Sequence, residues 1–362
     1  MGSTKVRKYW ISAKTKAPAL SLPKPKPKRI SIDAMGGDGG VKVTIPAALN
    51  ALEFNSDLLV ALVGDKTQIE PYLDSISSAL ADRISINHTL DVISDGDKPA
   101  QVLRSGKTSS MHIAMRLLQE RRVEAMVSAG NTGALLLIGR HLLKTIGGIQ
   151  KPAMVARIPG ATRPCFLLDV GANPQVDAQQ LFEFAVMGSV LAESMQGEIA
   201  KVGLLNIGSE KFKGTEEVRD AGALMDRCRA FDYVGFIEAN ELFEGKADVV
   251  VCDGFIGNVT IKASAGVANV VRKLLSSKVF TDSASSFENE SKEKLLKSLC
   301  DQINPHFYNG ASLLGLQGSV IKSHGNATIE GFTYAIQQAV REIENVVPEL
   351  IREKVTAIIE AG

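Results

Sequence analysis

Six times along the chain a short apolar run, rich in β-branched residues, breaks on Asp, Asn or Gly and passes into a helical pattern. Residues 249–262, VVVCDGFIGNVTIK, show it most clearly. Val249 to Cys252 is too short for a helix and reads as a buried parallel strand. Asp253, Gly254, Gly257 and Asn258 make a turn, and helical spacing opens at Val259. The same design recurs where 30–32 meets Asp33-Ala34-Met35-Gly36-Gly37-Asp38 and where 59–63 meets Gly64-Asp65. It returns where 125–127 meets SAGNTG, 165–168 meets DVGAN, and 202–205 meets Asn206-Ile207-Gly208. Helical patterns at 41–54, 108–119, 134–145, 178–193 and 216–228 alternate with these strands. Such alternation predicts an α/β fold, a mostly parallel sheet covered by helices on both faces. Ligands of open α/β sheets bind beyond the carboxyl ends of the strands. The six turns are therefore expected to share one rim, with backbone N–H groups aimed at an anion.

At 362 residues the chain can bury a large core. Its 41 basic and 40 acidic residues nearly balance, but nine of the basic ones fall in 1–29, which contains no acid. The remaining body carries 32 basic against 40 acidic residues, which argues against nucleic acid as a partner. No apolar run approaches the ~18–20 residues of a membrane span. The four cysteines form no CxxC, so a reduced setting without structural zinc is expected. Residues 1–28 read as a disordered basic tail, held extended by the Lys-Pro alternation at 23–28. Residues 29–362 read as a single domain. An amphipathic helical hairpin at about 265–303, with a polar linker at 281–290, is expected to protrude from it. The segment 308–325, YNGASLLGLQGSVIKSHG, returns as a Gly-punctuated apolar stretch before two closing helices.

GxGxxG, the P-loop, GxSxG and HExxH are all absent. Cys252, ending a Val-rich strand, reads as a small buried hydrophobe rather than a nucleophile. His88 follows a predicted strand and His324 stands beside Lys322 and Ser323; structural and catalytic roles stay open for both. In 206–214, NIGSEKFKG, two lysines stand beyond a strand end. Lys213, just before Gly214, is the preferred anion-binding residue, with Lys211 the alternative.

At these residues the chain resembles the acyl-acyl carrier protein:phosphate acyltransferases of bacterial phospholipid synthesis. The segments that carry the resemblance are IDAMGGD (32–38), SAGNTGA (128–134), DVGAN (169–173), 206–214, ADVVVCDGFIGNVTIK (247–262) and 310–325. The resemblance implies a three-layer α/β/α fold like those of phosphate acetyltransferases and isocitrate or isopropylmalate dehydrogenases. It implies transfer of a long-chain acyl group from acyl carrier protein to inorganic phosphate, with no cofactor and no metal. It also implies a homodimer on the cytoplasmic side, loosely attached to the inner face of the cell membrane, with a glycerol-3-phosphate acyltransferase as a further partner. Phosphate is already an anionic nucleophile, so the residues need only hold it in line and stabilise the oxyanion. Lys213, Asn258 and His88 are the expected catalytic residues. Asp33, Gly36, Gly37, Asn131, Thr132, Gly133, Asn173, Asn206, Asp253 and Gly254 are the expected phosphate- and substrate-binding set. The rival readings are a phosphate acetyl- or butyryltransferase acting on acyl-CoA, a decarboxylating dehydrogenase of related fold, and a non-catalytic scaffold.

Overall fold

The computed structural model describes residues 26–94, 96–279, 300, 304 and 308–361. Most of the basic tail and most of the expected hairpin lie outside the described residues. Among the described residues eleven strands form one sheet: β1 (Lys28–Asp33), β2 (Leu58–Gly64), β3 (Ile84–His88), β4 (Ala125–Ser128), β5 (Ala153–Ile158), β6 (Cys165–Leu168), β7 (Lys201–Leu205), β8 (Asp232–Ile237), β9 (Val249–Val251), β10 (Ala311–Leu314) and β11 (Ser319–Lys322). Their spatial order is β3-β2-β1-β4-β11-β10-β5-β6-β9-β7-β8. Central strands such as β4 and β11 are buried along their whole length, which is why they read as continuous apolar runs.

Helices cover both faces. One face carries Met126, Met154, Leu167, Val250 and Val320 in a core shared with the helices Ser110–Gln119 and Thr132–Leu142. The other face holds two cores, one over each half of the sheet. The closing helices divide between them. In Ile329–Glu344, Phe332, Ala335, Ile336, Ala339 and Val340 recur at helical spacing and are buried over the β1–β4 half, opposite the helix Val41–Phe54. Thr328 caps this helix by accepting the Gly331 N–H at 3.1 Å. Val347, Ile351 and Val355 of the last helix, Val347–Ala361, pack instead on the β6–β9 half with the helix Ala178–Gln196.

The expectation of one shared rim does not hold. β3, β2, β1, β4 and β11 are mutually parallel, as are β6, β9, β7 and β8. Between the halves lie three antiparallel steps: β11 to β10, β10 to β5 and β5 to β6. An odd number of reversals makes the two halves run in opposite senses. Yet the strand ends still meet. Register connects Ile32, Val127, Ile321, Ser312, Val155, Leu168, Val251 and Leu204 in one transverse row. β1, β4 and β11 stop one residue beyond this row, and β6 and β9 stop on it from the other side. The turns thus converge on a line across the middle of the sheet rather than along an edge.

Two expected boundaries also shift. The helix expected to begin at about 265 starts at Gly254, directly after β9, and runs 26 residues to Val279, with none of 258–275 buried. Lys28, placed in the tail, is the first residue of β1 and is ion-paired with Asp57 at 2.9 Å and Glu344 at 2.6 Å. Among the described residues no helix is long and apolar enough to cross a membrane.

Candidate active site

Where the two sets of strand ends meet, a cavity of about 400 Å³ opens. Its wall takes Thr132 from beyond β4, Val170 and Gly171 from beyond β6, and Asn258, Ile261 and Lys262 from the helix after β9. Residues 308–311 and 322–325 close it from the β10–β11 side. Among the described residues the lining contains two lysines and a histidine and no Asp or Glu. Lys322 is only 8% exposed. Its ammonium donates to the carbonyl of Ala129 at 3.2 Å and to that of Ser323. Thr132 opens the helix Thr132–Leu142, whose first N–H groups carry the positive end of the helix dipole. Everything charged on this wall is suited to an anion.

Behind the wall, polar residues brace the turns. Asn309 is buried; its Nδ2 donates to Ser323 Oγ at 2.8 Å and its Oδ1 accepts from the backbone N–H of His324 at 3.1 Å. Gly325 accepts the Asp38 N–H at 2.8 Å, tying the loop after β11 to the loop after β1. Asp33 receives hydrogen bonds from Ser110 at 2.6 Å and Ser128 at 2.7 Å. Burial pushes its carboxyl above the ordinary range, against the pull of those two hydroxyls. On the opposite half, the carboxylate of Asp169 accepts N–H groups from Met154, Gly171, Ala172 and Asn173 and the amide of Asn173. That cradle sets the turn 169–173 so that a Cβ on Gly171 would touch Asn258 at 3.7 Å.

Of the expected site residues, Thr132 and Asn258 lie on the cavity wall. Asp33 is buried beneath it. Gly36 and Gly37 serve close approach: a Cβ on Gly36 would come within 2.8 Å of the Gly130 nitrogen, and one on Gly37 within 2.8 Å of the Gly325 oxygen. Gly37 also has φ +82°, which favours glycine. The Asn131 side chain accepts the Ala134 N–H at 3.0 Å as a helix cap, and Gly133 lies in the first turn it caps. Asn173 donates to Pro152 and Asp169. Asp253 accepts the Ile256 N–H at 2.8 Å, capping its own helix. The Gly254 N–H donates to the Asn173 carbonyl at 2.8 Å, joining the turns after β6 and β9. Asn206 closes its own loop by donating to the Lys213 carbonyl at 3.1 Å. Lys213 is ion-paired with Glu210 at 2.8 Å and rises beyond β7, the strand beside β9. His88 ends β3, the edge strand, where its Nδ1 accepts the Lys66 N–H at 3.1 Å.

Lys322, Ser323 and Asn309 join the site through the fold, whereas Gly171 belongs to the DVGAN turn already expected at a strand end. Residues 319–322, SVIK, look like a strand with a lysine at its solvated end. Insertion of the β10–β11 hairpin between β4 and β5 is what buries that lysine. Burial also pushes the Cys252 thiol well above its ordinary value and that of Cys165 up to about 12, which suits buried hydrophobes and not nucleophiles. Among the described residues no cluster of three or more His, Cys, Asp or Glu is arranged to hold a metal.

A family model described as "Fatty acid synthesis protein" matches residues 28–350. A phosphate acyltransferase from Shewanella sp. (strain W3-18-1) is 45% identical over 332 residues, 91% of this chain and 97% of that protein. One from Shewanella pealeana is 44% identical over 336 residues, with the same shares covered. Among solved structures, a phosphotransacetylase from Streptococcus pyogenes shares the fold with a TM-score of 0.58 at 17% identity, covering 88% of this chain and 94% of that one. The EutD phosphotransacetylase from Staphylococcus aureus does so with a TM-score of 0.54 at 14% identity, covering 91% and 94%.

Proposed function

The chain belongs to the fatty acid synthesis protein family of phosphate acyltransferases, and we propose that it moves a long-chain acyl group from acyl carrier protein to inorganic phosphate. The observation that carries this is the cavity where the two halves of the sheet meet, whose described lining has two lysines and no acid. Phosphate sits against Lys322 and the first N–H groups of the helix Thr132–Leu142. One of its oxygens attacks the thioester carbonyl carbon, forming a C–O bond and a tetrahedral oxyanion. The Asn258 amide donates to that oxyanion. Collapse breaks the C–S bond, and the pantetheine thiolate leaves toward Lys213, which neutralises it before it takes a proton. The products are acyl phosphate and free carrier thiol.

Holding both reactants in line is worth ~7–11 kcal/mol in favourable cases. Asp33, Gly36, Gly37, Asn131, Gly133, Asn173, Asn206, Asp253 and Gly254 set the turns that carry the donors. His88 ends the edge strand, three strands from β4, and takes no part in this step. The proposal includes a homodimer and peripheral association with the inner membrane face, where a glycerol-3-phosphate acyltransferase would consume the product.

Palmitoyl-acyl carrier protein and labelled phosphate, with acyl phosphate trapped as its hydroxamate, test the reaction; palmitoyl-CoA and acetyl-CoA run in parallel. Wild-type protein should use the carrier-protein donor best. Asn258→Ala and Lys213→Ala, if folded, should each fall at least ~100-fold, as for a lost oxyanion donor. Folded wild type that forms no acyl phosphate, in either direction, would refute the reaction.

A further inference from the structure

The cavity wall mixes Lys262, Lys322 and His324 with Met154, Ala156, Val170 and Ile261, and outside it large apolar side chains stand in solvent. Ile207 is 79% exposed, Phe212 75% and Phe255 66%; exposed singly they would mean little, and it is their grouping beyond two neighbouring strands that marks them. Topology sets them on adjoining segments. Leu204 of β7 pairs with Val251 of β9, so the loop after Asn206 and the helix after Asp253 follow neighbouring strands. Ile207 and Phe212 belong to the loop after Asn206, and Phe212 immediately precedes Lys213. Phe255 stands three residues before Asn258 and seven before Lys262, on the helical face that lines the cavity. Half-exposed Ile256 and Val259 flank it.

We propose that Ile207, Phe212 and Phe255 form an apolar lip that holds the acyl chain of the donor and sets its chain-length preference. The inference rests on the acyl transfer proposed above. A thioester carbonyl at Asn258 directs its chain along one of two routes, into the cavity or across the lip. The cavity of about 400 Å³ must already take phosphate and the thioester head, and its wall carries Lys262 and Lys322. The lip is continuous with Asn258 through Phe255, on the same helix face. Glu210, paired with Lys213, and Asp253, capping its helix, stand among these apolar groups. A bilayer or a flat protein surface would have to strip water from both carboxylates, at a cost that a single chain threading between them avoids. The occupant is therefore a flexible hydrocarbon chain.

The test is the ratio of kcat/KM for palmitoyl- over butyryl-acyl carrier protein in wild type, Phe212→Ala, Phe255→Ala and the conservative Phe212→Leu. Each alanine should lower the ratio about tenfold, the order expected when one aromatic contact with hydrocarbon is lost; Phe212→Leu should recover most of it. An unchanged ratio, or equal loss on both donors, overturns the proposal. So does an unchanged ratio accompanied by loss of self-association in sedimentation or of binding to anionic vesicles; those results would assign the patch to a second copy of the chain or to lipid. If wild type makes no acyl phosphate from either donor, the reaction itself fails. Calorimetric titration with palmitate then judges the lip alone: binding weakened about tenfold in Phe212→Ala/Phe255→Ala sustains it, and equal binding overturns it.

Discussion

Asp169 and Gly257 show how single residues hold the active site in register. The Asp169 carboxylate, itself fully buried, accepts the backbone N–H groups of Met154, Gly171, Ala172 and Asn173 and the side-chain amide of Asn173. Removing it strands several buried donors, each costing ~1–3 kcal/mol. Asp169→Ala should therefore lose at least about 3 kcal/mol in urea unfolding. Gly257 stands next to Asn258, and a Cβ there would overlap the Asp169 carbonyl oxygen and reach Cys252 Sγ at 3.0 Å. The backbone of the turn cannot yield as a flexible side chain would. Gly257→Ala should cost ~1–3 kcal/mol as an overpacking change, and it should lower acyl transfer further by displacing Asn258. Activity and stability both equal to wild type would show that the turn is less rigid than its contacts imply.

At the scale of elements, the β10–β11 hairpin matters most, because it carries Lys322 into the sheet and is itself clamped from behind. Ser312 of β10 donates to Glu342 of the helix Ile329–Glu344, and Gln338 donates to the same carboxylate oxygen at 3.3 Å. Burial pushes the Glu342 carboxyl above its usual range, against the hydrogen bonds from Ser312 and Gln338. The folded state therefore holds this proton more tightly than the unfolded chain. Stability from Glu342 is full below about pH 4.5, the unfolded value, and declines as pH rises toward the raised folded value. Glu342→Gln removes that dependence while keeping an acceptor for Ser312. Melting temperature measured against pH should show the variant gaining on wild type as pH rises through this window; parallel curves would mean that Glu342 is not titrating with folding.

At the scale of the molecule, two oppositely directed half-sheets meet over one cavity, so an anion bound there joins turns from both. Phosphate should bind the folded protein and not the unfolded chain. Wild type should then gain about 2.7 kcal/mol of unfolding free energy at phosphate 100 times its Kd, seen as a rise in melting temperature at constant ionic strength. Lys322→Met should lose most of that gain, whereas a charge change far from the cavity, such as Lys354→Met, should retain it. An equal phosphate response in Lys322→Met would move the anion site elsewhere.

Much of this architecture is determined by the chain itself. Runs such as 249–252 and 125–127 are apolar, β-branched and closed by Asp, Asn or Gly, so they can only be short buried strands feeding helices. The turns that border the cavity were legible for the same reason, since glycine, asparagine and aspartate at those points mark tight turns and helix caps. What local pattern does not encode is direction. The chain shows no local sign that three antiparallel steps separate the two halves, because strand orientation is set by which strands become neighbours. Lys322 is the sharpest instance: as the last residue of SVIK it resembles any solvated strand end. Only insertion of its hairpin between β4 and β5 takes it out of water, because burial belongs to the packed sheet and not to the residue.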